Sequence, residues 1–360
     1  MSMDQFTKMF QEAMAAVEWP AGLSDEEIHS LVQEKILEGV GLLSAEVYTS
    51  LTNDAPDMLK EERAQAVAFE RRNRGRWKKP LDLLKIMVRV VQESGEGLCQ
   101  EWAVEPDNRE QLFSALNRLF VKALVITREA ICLMEAGFAD GALARWRSLH
   151  EVAVIASFLS KFGEQAAARY IASFTFASRS AMKNINEYAH RAGMKQYSAK
   201  ELSAADDRCN ELDSLFGKGI DKDYGWARDA LGVAHDARVT FFSIEQAVAL
   251  DHWRPRYRWA SQNVHSNYSP PRSSLGMVEA KEEIHLVGPS NSGMVDPLHM
   301  TAISLGIVAS AFLSTWPNMD RLVVLNFLSR ISEEIGPVAL EVEAKSARRA
   351  AVHRGIASPK

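Results

Sequence analysis

The chain has 360 residues, 47% of them hydrophobic and 25% charged, with a formal net charge of -5. That balance belongs to an ordinary globular protein with a core of its own, and it excludes a disordered chain and a globally basic nucleic-acid binder. At this length, one large domain and two packed helical layers both fit.

The three cysteines, Cys99, Cys132 and Cys209, are isolated and carry no CxxC pairing, so a reducing compartment is expected rather than a disulfide frame or a zinc site. The N-terminal MSMDQFTKMFQEAM lacks the basic start and apolar run of a signal peptide. The longest apolar stretch, Ala302 to Leu313, is too short to span a bilayer. A cytoplasmic protein with no membrane partner and no cofactor is the expectation.

Helical periodicity dominates the chain from start to end. Ser24-Asp25-Glu26-Glu27 is a capping-box start for a long helix carrying Ile28, Leu31, Ile36 and Val40. The stretch from Lys60 to Arg89 is basic, with Arg71, Arg72, Arg74, Arg76, Lys78 and Lys79 around Trp77. It reads either as a charged loop solvating a helix start or as a surface for RNA phosphates. Pro80 opens a second helix, with Leu81, Leu84, Met87 and Val91 on its apolar stripe. The strongest run is Leu112, Leu116, Leu119, Phe120, Ala123 and Ile126, at the spacing of one helix face. Gly137 ends that helix and Asp140 begins the next, so the two are expected to form a central antiparallel hairpin.

Further helices are expected at about 164–193, 199–215 and 224–266, the last kinked or broken near Trp253 by Pro255. Residues 275–288 hold two β-like runs around Lys281-Glu282, read as a short two-stranded ribbon. Asp296 is expected to cap a helix that starts at Pro297, and the final helices cover about 296–315 and 319–343. The expected fold class is all-α, a multi-helix bundle with that one ribbon. An N-terminal helical subdomain over 1–104, a main bundle over 105–345 and a charged tail over 346–360 are expected, although no linker composition marks their boundaries.

Two constellations could carry chemistry. Arg147 and Glu151 stand four apart on one helical face, either as a solvated ion pair or as buried groups orienting a third residue. Tyr257, Ser261 and His265 recur in steps of four, along one drifting helical stripe. Arg254, Arg256 and Arg258 crowd the start of that helix with Trp253 and Trp259 between them, a cluster able to meet a phosphate or a base. The plainer alternative is a Tyr and a His hydrogen-bonded within a core and arginines that face water.

The pattern G-F-x3-A-x4-R-S-L-x-E from Gly137 to Glu151, followed about a hundred residues later by Y-x3-S-x3-H, resembles a bacterial family of helical domains of unknown function. The stretch from Phe69 to Leu84, with its arginines and Trp77, is similar to that family's N-terminal part, so the resemblance spans about 65–315. It implies a helical fold and no particular activity.

More loosely, the chain resembles the HEPN superfamily of helical ribonucleases, common in toxin and phage-defence systems. Their site is an Arg and a His with four to six residues between them. The resemblance implies a metal-independent reaction in which His serves as general acid or base at a ribose 2′-hydroxyl and Arg stabilises phosphate charge. It also implies a homodimer. The sequence holds Arg145/His150, Arg228/His235, Arg258/His265 and Arg348/His353. A spacing of seven returns to nearly the same helix face, whereas five points about 140° away, which leaves Arg228/His235 and Arg258/His265. Arg228 is followed by a polar residue, Asp229, as the superfamily favours; Arg258 is followed by Trp259, a departure.

Asp296, His299, His285, His265 and Glu151 offer metal-ligand chemistry without a spacing that ties any two together, so no metal is assigned. Two readings remain. In one, the protein is a HEPN-like ribonuclease with His265 and Arg258 catalytic, positioned by Tyr257, Ser261, Arg147 and Glu151. Arg228 and His235 are the alternative pair, and Arg254, Arg256, Trp253 and Trp259 contact RNA. In the other it is a non-catalytic helical interaction module in which the polar stripe fixes helix register. An exposed His265 beside converging arginines in a cleft favours the enzyme, and an enclosed one favours the scaffold.

Overall fold

The computed structural model describes residues 24–234, 237–265, 268, 270, 273–280, 282 and 284–353, with Thr7, Lys8, Gln11, Glu12, Ala15 and Gly22 before them. Among these residues the regular structure is helical throughout, with no strand. The ten α-helices are α1 (Asp25–Arg76), α2 (Lys78–Val104), α3 (Glu110–Ala136), α4 (Ala139–Ala192), α5 (Ala199–Phe216), α6 (Arg228–Leu231), α7 (Phe241–Ala247), α8 (Arg254–Gln262), α9 (Val295–Leu313) and α10 (Met319–His353). Packing divides the chain into two compact units, residues 1–69 and 70–360.

In the first unit, Ser24 caps α1 as its sequence predicts: its hydroxyl accepts from the Glu27 amide, and the Glu27 carboxylate accepts from the Ser24 amide at 2.8 Å. The described residues of α1 before residue 70 present mostly exposed side chains, including Leu37, Tyr48, Leu51 and Met58.

In the second unit, α3 and α4 form the predicted hairpin. Gly137 takes the left-handed conformation (φ 91°) that a helix C-terminus requires, and the Phe138 amide turns back to the Leu133 carbonyl at 2.8 Å. The Asn73 side-chain amide closes the same terminus by donating to the carbonyls of Met134 and Glu135. At the other end of α3, the Glu164 carboxylate accepts from the amides of Gln111 and Leu112, at 2.9 and 2.8 Å. Gly163, at φ 77°, bends α4 just before Glu164 and so aims this cap.

The core is completed by α9, which packs against α2, α3, α4 and α10. The apolar stretch expected to be too short for a bilayer lies in this 19-residue helix, Val295–Leu313, which is long and apolar enough to cross one. In this fold 61% of it is buried, as in the core helix of a bundle.

Several expectations are corrected. The single kinked helix over 224–266 is instead a 3₁₀ turn at Gly225–Ala227, then α6, α7, a second 3₁₀ turn at Asp251–Trp253, and α8. Pro255 kinks nothing: it sits in the first turn of α8, where its missing N–H has no partner to lose. The ribbon at 275–288 does not form among the described residues, Lys281 and Glu283 lying outside them. Its backbone is held by side chains: Asp140 accepts from the amides of Leu275 and Gly276, while Ser290 and Ser292 donate to the Gly276 carbonyl. Asp296 is not the N-cap of α9, which starts one residue earlier with Met294 before it; Asp296 lies in the first turn and pairs with Arg256. The basic stretch around Trp77 is helix on both sides, Trp77 is buried with its indole N–H on the Asn291 carbonyl, and Arg76 is bound to Glu279 and Asn291.

Candidate functional site

The sequence of α4 places Trp146, Leu149 and Ala153 on its buried face, with Arg147 and Glu151 at the edge of that face. On α8, Tyr257 and Ala260 are the buried positions and Ser261 follows at the margin. The two edges meet. Arg147 donates from Nη2 to the Tyr257 hydroxyl (2.8 Å) and from Nε to Ser261 Oγ (2.9 Å), while its guanidinium lies 4.8 Å from the Tyr257 ring centroid. The Tyr257 hydroxyl donates to Glu151 Oε1 at 2.6 Å, and Arg147 Nη2 stands 3.1 Å from the same oxygen. Ser261 Oγ donates back to the Tyr257 carbonyl at 2.8 Å.

A second polar set lies deeper on the same seam. Glu245 of α7 is fully buried; one carboxylate oxygen is 3.1 Å from His150 Nε2 and the other accepts from Arg254 Nη1 at 2.5 Å. Arg254 also lies 5.4 Å from the Tyr257 ring, on which the two sets therefore converge. Burial pushes the Tyr257 hydroxyl well above the ordinary phenol range; its bond to Glu151 and that carboxylate's charge add to the shift, while Arg147 opposes it. Tyr224 shifts upward for the same leading reason, burial, with Glu151 next. At neutral pH the Tyr257 phenol thus keeps its proton and acts as a donor, not as a base.

Four of the expected site residues, Arg147, Glu151, Tyr257 and Ser261, are brought together. Two are not. α8 ends at Gln262, so His265 lies past the helix on an exposed turn, held by its amide on the Ser261 carbonyl, and among the described residues its ring has no hydrogen bond or ion pair. Arg258 is exposed and likewise unpaired among the described residues. Of the residues expected to contact RNA, Arg254 pairs with Glu245, and Trp253 and Trp259 pack partly buried against the core. Arg256 is exposed, paired with Asp296 and set over Trp253.

The Arg228/His235 pair loses its two-turn argument, because α6 ends at Leu231; Arg228 is buried with Nη1 on the Gly219 carbonyl, and His235 lies outside the described residues. Arg145 and His150 diverge as their spacing requires, to Glu129 and Glu245. Among the described residues, no group of three His, Cys, Asp or Glu side chains is placed to hold a metal ion.

Sequence reasoning places neither His150 nor Glu245 in the site, setting His150 aside with the Arg145/His150 pair. Each was detectable as a titratable residue inside an apolar stretch, His150 after Leu149 on the buried face of α4 and Glu245 after Ile244. A charge at a position that periodicity assigns to the core needs a partner.

Residues 113–282 match the model of a family of unknown function (DUF5677), a little under half of the chain. Both polar sets of the seam fall inside the matched segment. No curated protein and no solved structure matches the chain.

Proposed function

We propose that this protein is a non-catalytic helical interaction module, in which the polar seam locks α8 and α7 onto the α3–α4 hairpin. The observation that carries this reading is the commitment of both hydroxyls and of the buried Glu245 carboxylate to partners within the seam. The Tyr257 hydroxyl donates once and accepts once, Ser261 Oγ does the same, and Glu245 divides its two oxygens between His150 and Arg254. Groups so committed fix helix register, and neither hydroxyl nor either Glu245 oxygen is left to activate a nucleophile. The exposed apolar row of α1, with Leu37, Tyr48, Leu51 and Met58, supports a protein partner, since monomers seldom leave such a row bare.

A specific observation favours a second reading. Arg258 in the middle of α8 and His265 past its end are exposed and, among the described residues, have no side-chain partner, as a contact with a ribose-phosphate implied by the HEPN resemblance requires. His265 would take the 2′-hydroxyl proton, Arg258 would hold the phosphate, and a homodimer would complete the site. Purified protein incubated with total RNA and a chelator separates the two readings. The module leaves the RNA intact. Cleavage lost in His265→Ala, with helical circular dichroism unchanged, replaces it by the ribonuclease.

A further inference from the structure

Away from the seam, α9, α10, Arg256 and the segment after Leu275 enclose a cavity of about 450 Å³, a size that suits a small ligand. Its polar lining is Arg256, Asp296, His299 and Glu343, and its apolar walls include Val278, Val295 and Leu340. Three of the four polar groups lie outside the segment that matches the family.

The cavity wall is built against local preference. Gly336 and Pro337 stand in the interior of α10, where they are the two least favourable residues for a helix. Their placement has a reason in the cavity. A Cβ at position 336 would come within 2.8 Å of His299 Cε1 and Nδ1 and force the ring to shift, so glycine lets the imidazole lie on the helix backbone, and Pro337 forms part of the wall beside it. Departures from local propensity concentrate at functional sites.

The charges inside do not cancel. Arg256 Nε is 3.3 Å from Asp296 Oδ1, which neutralises that pair. Arg76, the next cation, is bound to Glu279 and Asn291. Among the described residues, neither Glu343 nor His299 has a side-chain hydrogen bond or ion pair. Burial, then the carboxylates of Glu279 and Asp296, raise the Glu343 pKa against the opposing pull of Arg76. Burial, then Arg256, lower that of His299 against the opposing effect of Asp296, so its imidazole adds no positive charge at neutral pH. One carboxylate is left over.

We propose that this cavity binds a small organic monocation, an aliphatic ammonium whose charge rests on Glu343 and whose stem lies along Val278, Val295 and Leu340, with the His299 imidazole as a second acceptor. An anion would meet Glu343 and would have to displace Asp296 from Arg256. A bare metal ion would leave the apolar walls unused.

The test is calorimetric titration of the full chain with n-butylammonium, n-pentylammonium and isopentylammonium, with butyrate as the anionic control at equal ionic strength. Saturable binding of an amine is expected in the millimolar range or tighter, with a rise in Tm and a shift of the His299 ring protons in the NMR spectrum. Glu343→Gln should weaken it by at least about tenfold, the loss of one charged hydrogen bond. Val278→Trp, which fills the cavity from its exposed side, should abolish it without touching a charged group. No saturable binding of any of the three amines, preference for butyrate, or unchanged affinity in Val278→Trp or in folded Glu343→Gln overturns the assignment.

Discussion

The Arg147 guanidinium lies 4.8 Å from the centre of the Tyr257 ring and also donates to that residue's hydroxyl at 2.8 Å. One cation on α4 thus holds both the face and the polar edge of an aromatic residue on α8. Lysine cannot reproduce this, because a point charge lacks the planar fork that reaches Tyr257 and Ser261 together.

Removing the hydroxyl in Tyr257→Phe leaves Glu151 Oε1 and Arg147 Nη2 without their shared partner. A loss of about 0.5–1.5 kcal/mol is expected, that of the two hydrogen bonds of one hydroxyl whose partners remain paired with each other. Arg147→Lys should lose a comparable amount, and the double variant should lose less than the sum, since both changes break one network. Urea denaturation of the four proteins measures this; strict additivity would show that the two residues are not coupled.

Glu245 is fully buried between His150 and Arg254, so Glu245→Ala strands a buried imidazole and a cation at once. The expected cost is about 3–5 kcal/mol, that of breaking a buried pair by removing one partner. The drop in denaturation midpoint should clearly exceed that of His265→Ala, whose exposed side chain predicts a change within about 0.5 kcal/mol.

Two glycines on α2 separate close packing from helix propensity. A Cβ at Gly95 would lie 2.3 Å from Phe120 Cε1, whereas one at Gly97 meets nothing within 4 Å. Gly97→Ala is expected to stabilise the protein by about 0.5–1 kcal/mol, and Gly95→Ala to destabilise it. Thermal melts of the two variants should therefore shift in opposite directions.

Glu343 supplies a pH test independent of any ligand. Its folded pKa is raised, chiefly by burial and then by Glu279 and Asp296, so the folded state holds that proton more tightly than the unfolded chain does. The group therefore favours folding below its unfolded pKa, and this contribution is lost as pH rises toward the folded value. Above both values the ionised carboxylate is a net cost. Glu343→Gln should accordingly raise Tm at pH 7 and change it little at pH 4, a difference read from paired melts.

Much of the fold was legible in the chain. The heptad-like run of α3, the Gly137 stop and the Ser24 box depend on hydrogen bonds and side-chain spacings within a few residues, and they form as read. The 224–266 region was not legible. Its helical composition is cut by turns at Gly232 and Ala249, and Pro255 serves as a helix start where a kink was expected. In the candidate site, the four-residue spacings identified Arg147, Glu151, Tyr257 and Ser261, because one turn of helix fixes which residues share a face. His265 followed the same arithmetic and still left the seam, because α8 ends three residues before it.

The sequence by itself determined the helical class, most of the long helices and the edges on which polar groups line up, since each follows from periodicity and capping within one segment. Only the tertiary structure decided what those edges meet. His150 and Glu245 are 95 residues apart, and Arg147 and Tyr257 are 110 apart. Nothing local ties either pair together. Their pairing is set by how α7 and α8 pack against the hairpin, where burying an unpaired charge costs more free energy than any local preference can supply.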